Sequence, residues 1–211
     1  MDKAQNHHAN TSAYQAPAPA PELQDLEPLS ASDFAIYNRL AEKMSHIHNG
    51  FRSMWKTLKI ACSGSRSHTD AVVECQMDDT ELLMATLSFV EGLSNHHAIE
   101  EKFIFPSLAA RMPEFSPSGV LVEQHEVIHD GLVRIKSYLR GCEKFLAEDM
   151  DGDGGRVGEG LGRGKLKGLL EGEEGEFERV LWSHLDEEVE FLKAENMRRF
   201  WGVEEVRRLP M

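Results

Sequence analysis

The stretch His96-His97-Ala98-Ile99-Glu100-Glu101 decides how this chain folds. It places a histidine four residues ahead of a glutamate in two overlapping registers, and the stretch His184-Leu185-Asp186-Glu187-Glu188 repeats that spacing near the end of the chain. Side chains four residues apart lie on the same face of an α-helix. The spacing therefore predicts two helices that each present imidazole and carboxylate groups from one face.

Two further segments carry histidines in a helical setting. His48 lies on an apolar stripe between Met44 and Phe51, and the stretch His125-Glu126-Val127-Ile128-His129 again has histidines four residues apart. Four helices that turn such groups inward are typical of a bundle with a metal centre in its core. We therefore predict an all-α protein.

Composition and turn signals divide the chain into a tail and one domain. The Pro- and Ala-rich start predicts a disordered tail over residues 1–30, followed by a helix bundle over residues 31–208. Apolar periodicity and capping signals predict helices at about 33–61, 78–111, 118–148 and 165–195 and a short C-terminal helix within 197–208, with a break in the second helix before Pro106. The Gly- and Asp-rich stretch 149–164 predicts a loop, and it lacks the glutamate that a calcium loop needs at its twelfth position.

The net charge of the chain argues against nucleic acids and anionic membranes as partners. The 211 residues carry a formal net charge of −13, which repels nucleic-acid phosphates and anionic membranes. No apolar run reaches membrane-spanning length, and the first residues lack the features of a secretory signal. We therefore expect a cytoplasmic protein that binds neither nucleic acid nor membrane.

Helical geometry of about 100° per residue ranks the histidines as inward-facing candidates. On the second helix, the buried face is predicted to include Phe89, Leu93, Phe103 and Ile104, which favours the pair His96/Glu100 and leaves the pair His97/Glu101 open as the alternative. On the third helix, His125 lies within the apolar seam, and His129 lies one turn further and slightly to one side. On the fourth helix, His184 and Glu188 align with apolar neighbours.

A core that contains these groups needs a partner for them. An ionised glutamate is seldom buried unless it is paired or bound to a cation. Imidazoles and carboxylates that converge from four helices cannot all satisfy one another, whereas a pair of metal ions satisfies them together. Iron, manganese and zinc all accept this mixture of ligands.

These motifs resemble those of the hemerythrin-like, HHE cation-binding family. The matching residues, over roughly 33–195, are His48-Asn49, His96-His97-x-x-Glu100-Glu101, Ile104-Phe105-Pro106, Gln124-His125 and His184-Leu185-x-Glu187-Glu188. The resemblance implies an up-down-up-down four-helix bundle around two non-haem iron ions, an oxo- or hydroxo-bridged diiron centre. It implies these metal ligands: His48, His96, His125, His129 and His184 as terminal ligands, and Glu100 and Glu188 as bridges. In the family's dioxygen carriers, the last bridge is an aspartate five residues after the histidine, whereas Glu188 follows His184 by four.

The ligand set favours binding over catalysis. A histidine-rich centre predicts a protein that binds dioxygen or another small diatomic, or that senses or stores iron and oxygen, rather than an enzyme. One alternative is a diiron oxidoreductase with oxidase, peroxidase or nitric-oxide-reducing activity. The other is a structural or interaction module that is stabilised by its metal.

Overall fold

The protein is described by a computed structural model over residues 26–63, 77–149 and 161–210. The helices are α1 (Ala31–Ser63), α2 (Asp79–Ile99), α3 (Phe105–Leu108), α4 (Val120–Asp149), α5 (Arg163–Glu171), α6 (Glu176–Phe191), α7 (Ala194–Phe200) and α8 (Val203–Val206). A π-helical turn, Glu100–Ile104, joins α2 to α3, and 3-10 turns span Pro113–Phe115 and Glu173–Gly175. None of the described ranges contains a β-strand, so the predicted all-α class is confirmed.

The long helices form a closed ring around one interior. Helix α1 packs against α2 and against the α5–α6 segment, and α4 packs against α2 and against that same segment. The up-down-up-down order of the helices stays a prediction. Residues 1–25 of the predicted tail and residues 150–160 of the predicted loop lie outside the described residues. No helix in the described ranges is both long enough and apolar enough to cross a bilayer.

The start of α2 follows from its acidic sequence. The side chain of Asp78 accepts a hydrogen bond of 2.8 Å from the backbone nitrogen of Glu81, and the Glu81 carboxylate accepts one of 3.0 Å from the backbone nitrogen of Asp78. This reciprocal pair is a capping box, which satisfies amide groups that the first helical turn leaves free. The cap fixes the register of the helix that carries the histidine pair.

Helix α2 passes its histidines and widens into the π-helical turn. The backbone nitrogen of Phe105 donates to the carbonyl oxygen of Glu100, five residues earlier, and Pro106 follows, which has no amide hydrogen to donate. Since a π turn holds more residues than an α turn, it changes which residues face inward. Ile104 and Phe105 are buried, whereas Phe103 is 51% exposed. The prediction of Phe103 on the buried face is therefore wrong.

The predicted fourth helix over 165–195 is broken into α5 and α6. Between them, Gly172 has a φ of 77°, Glu174 a φ of 51° and Gly175 a φ of 75°. Positive φ angles end a helix, and glycine adopts them without a steric penalty. A side chain at position 172 would also lie 2.7 Å from the Cβ atom of Phe177, so the turn requires glycine for space as well.

Two apolar clusters fill the bundle and leave a polar layer between them. The α5-side cluster contains Trp55, Phe89, Leu139, Leu166, Phe177 and their neighbours. The α7-side cluster contains Leu40, Met44, Phe115, Leu121, Met197 and their neighbours. Along α1, His48 lies between Met44 of the second cluster and Phe51 of the first. The two clusters shield the polar layer from water at both ends.

Candidate metal centre

The polar layer is built from imidazole and carboxylate groups that are almost completely buried. Its members, each exposed by 9% or less, are His48 from α1, His96 and His97 from α2, Glu100 from the π turn, His125 from α4, and His184 and Glu188 from α6. Every long helix of the ring contributes at least one group. Such a layer in an apolar interior requires partners for its charges and lone pairs.

The layer divides into two sets that each have metal-binding geometry. The carboxylate-rich set consists of His48, His96, Glu100 and Glu188. The histidine-rich set consists of His97, Glu100, His125 and His184. Within each set, one ligand atom from every residue lies within 4.8 Å of the others, a spacing at which one cation can contact them all. The sets share a single residue, the glutamate of the π turn.

Glu100 faces both sets with different oxygen atoms. Its Oε1 atom lies 2.8 Å from Nε2 of His96, and its Oε2 atom lies 3.5 Å from Nε2 of His125. In the carboxylate-rich set, Oε2 of Glu188 lies 3.3 Å from Nε2 of His48. A carboxylate has an oxygen to offer to each of two ions, so Glu100 is placed to join the two sets.

Outer hydrogen bonds fix the protonation of two histidines. Nδ1 of His48 lies 3.0 Å from the carbonyl oxygen of Leu185, and Nδ1 of His125 lies 2.7 Å from Oε1 of Glu101. Both partners can only accept, so each Nδ1 atom carries the proton and donates it. The inward-facing Nε2 atoms are therefore lone-pair donors. Metal-binding histidines are oriented by outer hydrogen bonds of this kind.

A network of side-chain hydrogen bonds places the proton of His184 on its Nδ1 atom. Its Nδ1 atom lies 3.2 Å from Oε1 of Gln124, whose Nε2 atom donates to the Glu187 carboxylate at 3.0 Å. Ser183 donates to the other oxygen of Glu187 at 2.5 Å. Because the Gln124 amide nitrogen is already directed at Glu187, its oxygen is left to accept from His184. Nε2 of His184 is then also a lone-pair donor.

This protonation makes one close contact unfavourable without a cation. Nε2 of His125 and Nε2 of His184 lie 3.0 Å apart in the buried layer. Since both carry their proton on Nδ1, neither Nε2 atom can donate to the other. Two lone pairs directed at one point are stabilised by a positive ion between them. The pair therefore fits a metal ion and does not fit a hydrogen bond.

The carboxylates and His97 point to the same conclusion. Both oxygens of Glu100, both oxygens of Glu188 and Nε2 of His97 are buried and have no hydrogen-bond partner among the described residues. Leaving buried polar atoms unpaired costs about 1–3 kcal/mol each, and more for charged groups. These five atoms belong to the two sets, so cations there would satisfy all of them.

The electrostatics of the layer favour the binding of a cation. Burial, and then the neighbouring charge of Glu188, holds the pKa of Glu100 well above its usual range. Burial, and then repulsion from His125, holds the pKa values of His97 and His184 well below theirs. The imidazoles of His97 and His184 are consequently neutral, and the buried carboxyl group of Glu100 gains from a proton or a cation.

The structure brings six of the seven predicted ligands together and leaves one out. His48, His96, Glu100, His125, His184 and Glu188 all lie in the layer. His129 is exposed and belongs to neither set. The buried seam of α4 runs through His125, Ile128 and Leu132, and His129 follows Ile128 by one residue, which rotates it by about 100° around the helix. His129 therefore lies outside the buried layer, and its role as a ligand stays a prediction.

His97 is the group that sequence reasoning placed second. Its ring stacks on that of His125, with centroids 4.1 Å apart, and meets the ring of His184 edge-on at 5.2 Å. The neighbouring His96 instead contacts His48 across the layer, with ring centroids 5.1 Å apart. The sequence treated the adjacent histidines as alternatives, whereas the layer is wide enough to bury both. Glu101, the other half of the alternative pair, is exposed and binds His125 from outside.

Comparison with known proteins agrees with this geometry. A model of the hemerythrin HHE cation binding domain matches residues 39–194. The dimeric xanthone biosynthesis cluster protein R11 of Cryptosporiopsis sp. (strain 8999) is 32% identical over 107 residues, which cover 51% of this chain and only 37% of that protein. No solved structure gives a significant match. The family model covers most of the chain, which therefore belongs to the hemerythrin HHE cation-binding domain family.

Proposed function

We propose that this protein binds a pair of iron ions and uses them to bind dioxygen or another small diatomic, or to sense or store iron and oxygen. The observation that carries the proposal is the sharing of Glu100 by two buried ligand sets. The layer supplies five imidazoles and two carboxylates, the same count of each as the family resemblance implies, with His97 in the place of His129.

The donor chemistry favours iron over softer ions. Neither set contains a thiolate, and mixed imidazole and carboxylate donors suit iron, manganese and zinc. When bound, a pair of ferrous ions would donate electrons to a diatomic ligand. The chain's own contribution is to hold the ions through neutral imidazoles, join them through Glu100 and keep water away from them.

Aromatic walls support the binding of a small apolar molecule. The ring of Phe51 lies 5.4 Å from that of His96, and the ring of Phe105 stacks on that of His125 at 5.1 Å. Both phenylalanines are nearly or completely buried. A dry, apolar surface beside the ligands favours dioxygen over water and raises the strength of electrostatic interactions inside.

A cleft gives a second candidate function its support. A cavity of about 330 Å³ between α1 and α6 reaches His48 and is lined also by Asn49, Arg52 and Lys193. A cleft of this size and polarity could admit an organic substrate, which favours an iron-dependent oxidoreductase. The similar protein R11 is named for a xanthone biosynthesis cluster, so compounds of that aromatic class are the first to test. Dioxygen consumption that depends on such a compound would establish this alternative.

The main proposal is tested by reconstitution of the metal-free chain with ferrous iron under anaerobic conditions. We expect two iron ions per chain by elemental analysis, little colour before exposure to air, and near-ultraviolet and visible absorption of a ferric pair afterwards. The matched variants are His97→Ala, which should lose the iron of the histidine-rich set, and His46→Ala, which removes an exposed histidine of α1 and should keep both ions.

Two outcomes would contradict the proposal. Trace metal in protein supplied with ample iron would remove the basis for both sets. Stable binding of colourless zinc, with no response to dioxygen after iron treatment, would identify the metal as a structural support.

A further inference from the structure

A chain of aromatic rings leads from the polar layer toward the surface. The ring of His96 lies 5.4 Å from that of Phe51, which lies 6.1 Å from Phe89. Phe89 lies 5.4 Å from Trp55, and Trp55 meets Trp182 edge-on at 5.4 Å. Trp55 is buried, whereas Trp182 is only half-buried. The rings therefore form a continuous contact path between a candidate metal ligand and a residue that solvent reaches.

The path follows from the register of two helices. On α1, His48, Phe51 and Trp55 are spaced by three and four residues, which places them on one face. On α6, Trp182 precedes His184 by two residues. Both tryptophans are thus held by the helices that hold candidate ligands, so the distance between them and the layer is fixed by the helices themselves.

A single carboxylate serves both indole groups. Oε1 of Glu178 accepts a hydrogen bond of 3.0 Å from Nε1 of Trp55 and one of 3.5 Å from Nε1 of Trp182. Lys59 donates to the other oxygen at 2.9 Å. Burial would raise the pKa of Glu178, but the hydrogen bonds from Lys59 and Trp55 outweigh it and lower the pKa. Glu178 is therefore an ionised acceptor, placed to take the proton that an indole loses when it is oxidised.

The third tryptophan has none of these features. Nε1 of Trp201 contacts the sulfur of Met112 at 3.4 Å, and the guanidinium of Arg111 lies 4.5 Å from its ring. Trp201 packs on the α7-side cluster, at the other end of the polar layer from Trp55. It is half-buried, as Trp182 is, and it has no carboxylate acceptor among the described contacts. It serves as an internal control.

We propose that Trp55 and Trp182 form a relay that carries single electrons from a small reductant in solution, such as a thiol, to the metal centre while hydrogen peroxide is reduced there. This inference rests on the proposed binding of iron. One hydrogen peroxide molecule takes two electrons and two protons and leaves two water molecules. Each indole loses one electron and its N–H proton and becomes a neutral radical. The electron goes to the metal centre, and the proton passes to Glu178. Each radical then regains one electron and one proton from the reductant, and the iron ends in its starting oxidation state.

The experiment uses the full chain loaded with ferrous iron and then oxidised in air to the ferric state, so that ferrous ions cannot themselves supply the two electrons. The same chain loaded with zinc is the redox-inert control. Both are treated with hydrogen peroxide in the absence of reductant, frozen for electron paramagnetic resonance and then digested for peptide mass spectrometry. We expect a tryptophanyl radical in the iron protein, and oxygenated products at Trp182 and Trp55 in several-fold excess over Trp201. Equal modification of the three tryptophans, or a zinc protein that is modified to the same extent, would overturn the relay.

Matched variants separate the relay from general oxidation. Trp55→Phe keeps an aromatic ring in place and should greatly lower the modification of Trp182, whereas Trp201→Phe should leave it unchanged. Glu178→Gln, at a position only partly buried, removes the proton acceptor and should lower the yield of the radical even if Trp55→Phe folds poorly. Failure of the chain to bind iron would refute the proposed function. Binding of iron without preferential oxidation of Trp55 and Trp182 would refute the relay alone.

Discussion

The two ligand sets share Glu100 but differ in composition. The carboxylate-rich set adds one further carboxylate, Glu188, to two imidazoles. The histidine-rich set surrounds Glu100 with three imidazoles, those of His97, His125 and His184. Anionic ligands neutralise more of a cation's charge than neutral ones do. The two positions are therefore electrostatically unequal, although they lie in one buried layer.

The sets also differ in what holds their histidines. In the histidine-rich set, the carboxylate of Glu101 and the amide of Gln124 orient two of the rings. In the carboxylate-rich set, the partner of His48 is a backbone carbonyl, that of Leu185. Mutation can replace the side chains of Glu101 and Gln124, but it cannot remove the backbone carbonyl of Leu185. Mutation of the outer hydrogen-bond partners should therefore change the metal affinity of the histidine-rich set and leave the hydrogen bond of His48 in place.

The largest effect should come from the residue that the two sets share. Glu100→Gln keeps the size of the side chain but removes its charge and one of its acceptor oxygens. We expect both ions to be lost, so that metal content after dialysis against a weak chelator falls from two per chain almost to zero. Retention of one ion at unchanged affinity would show that Glu100 belongs to only one set.

The next effect separates the sets from each other. His97→Ala should remove the ion of the histidine-rich set and leave about one ion per chain, because His97 is absent from the other set. His129→Ala, which removes an exposed imidazole from α4, should leave both ions in place. Metal analysis with optical spectra of the two variants measures the difference. A larger loss from His129→Ala than from His97→Ala would favour the assignment of His129 that was made from sequence.

A smaller effect should come from the outer hydrogen bonds. Glu101→Gln weakens the acceptor of the His125 proton, and removing such partners typically costs about 10–100-fold in metal affinity. The loss should be confined to the histidine-rich ion and is measured by competition with a coloured chelator. Glu91→Gln removes an exposed carboxylate of α2 that pairs with Lys136, and it is the matched control. Equal affinity in the two variants would remove the role of Glu101.

The smallest effect is a pH dependence of the metal-free protein. Burial holds the pKa values of His97 and His184 below the ordinary value of 6.5, so the unfolded chain takes up protons there that the folded chain does not. The stability present above pH 6.5 is therefore lost as the pH falls, by up to about 1.4 kcal/mol per pH unit and histidine. The raised pKa of Glu100 acts in the opposite direction, since its protonated form is the one that the fold favours.

Thermal melts of the metal-free chain between about pH 7.5 and pH 5.5 test this balance. We expect the melting temperature to fall with pH, and to fall more steeply in Glu100→Gln, which lacks the compensating carboxyl group. The His129→Ala variant should follow the wild-type chain, since it loses only an exposed side chain. A melting temperature of Glu100→Gln that does not change with pH would contradict the lowered pKa values of His97 and His184.

The fold could be read from local signals to within a few residues. Apolar periodicity placed the first and third long helices close to α1 (Ala31–Ser63) and α4 (Val120–Asp149). Pro106 predicted the break that follows α2, although not its π-helical form, and no signal predicted the break between α5 and α6. The turn around Gly172 depends on close packing against Phe177, which comes from tertiary contact and leaves no periodic trace.

The candidate site shows the same division. An ideal helix turns by about 100° per residue and has one inward face, so His96 and His97 were predicted as alternatives for that face. In the structure, His96 faces α1 and His97 faces α4 and α6, because α2 lies between neighbours on two sides. The width of the layer, and with it the burial of both His96 and His97, cannot be obtained from one helix at a time.

By itself the sequence determined that this protein is a helix bundle with imidazoles and carboxylates in its core. The physical reason is that four-residue spacing is a local property of a helix, and buried charge demands a cation wherever the helices meet. Only the tertiary structure decided which of these groups come together in each set. The π turn directs Glu100 at both sets, the rotation of α4 turns His129 to solvent, and the meeting of three helices brings His97 inside.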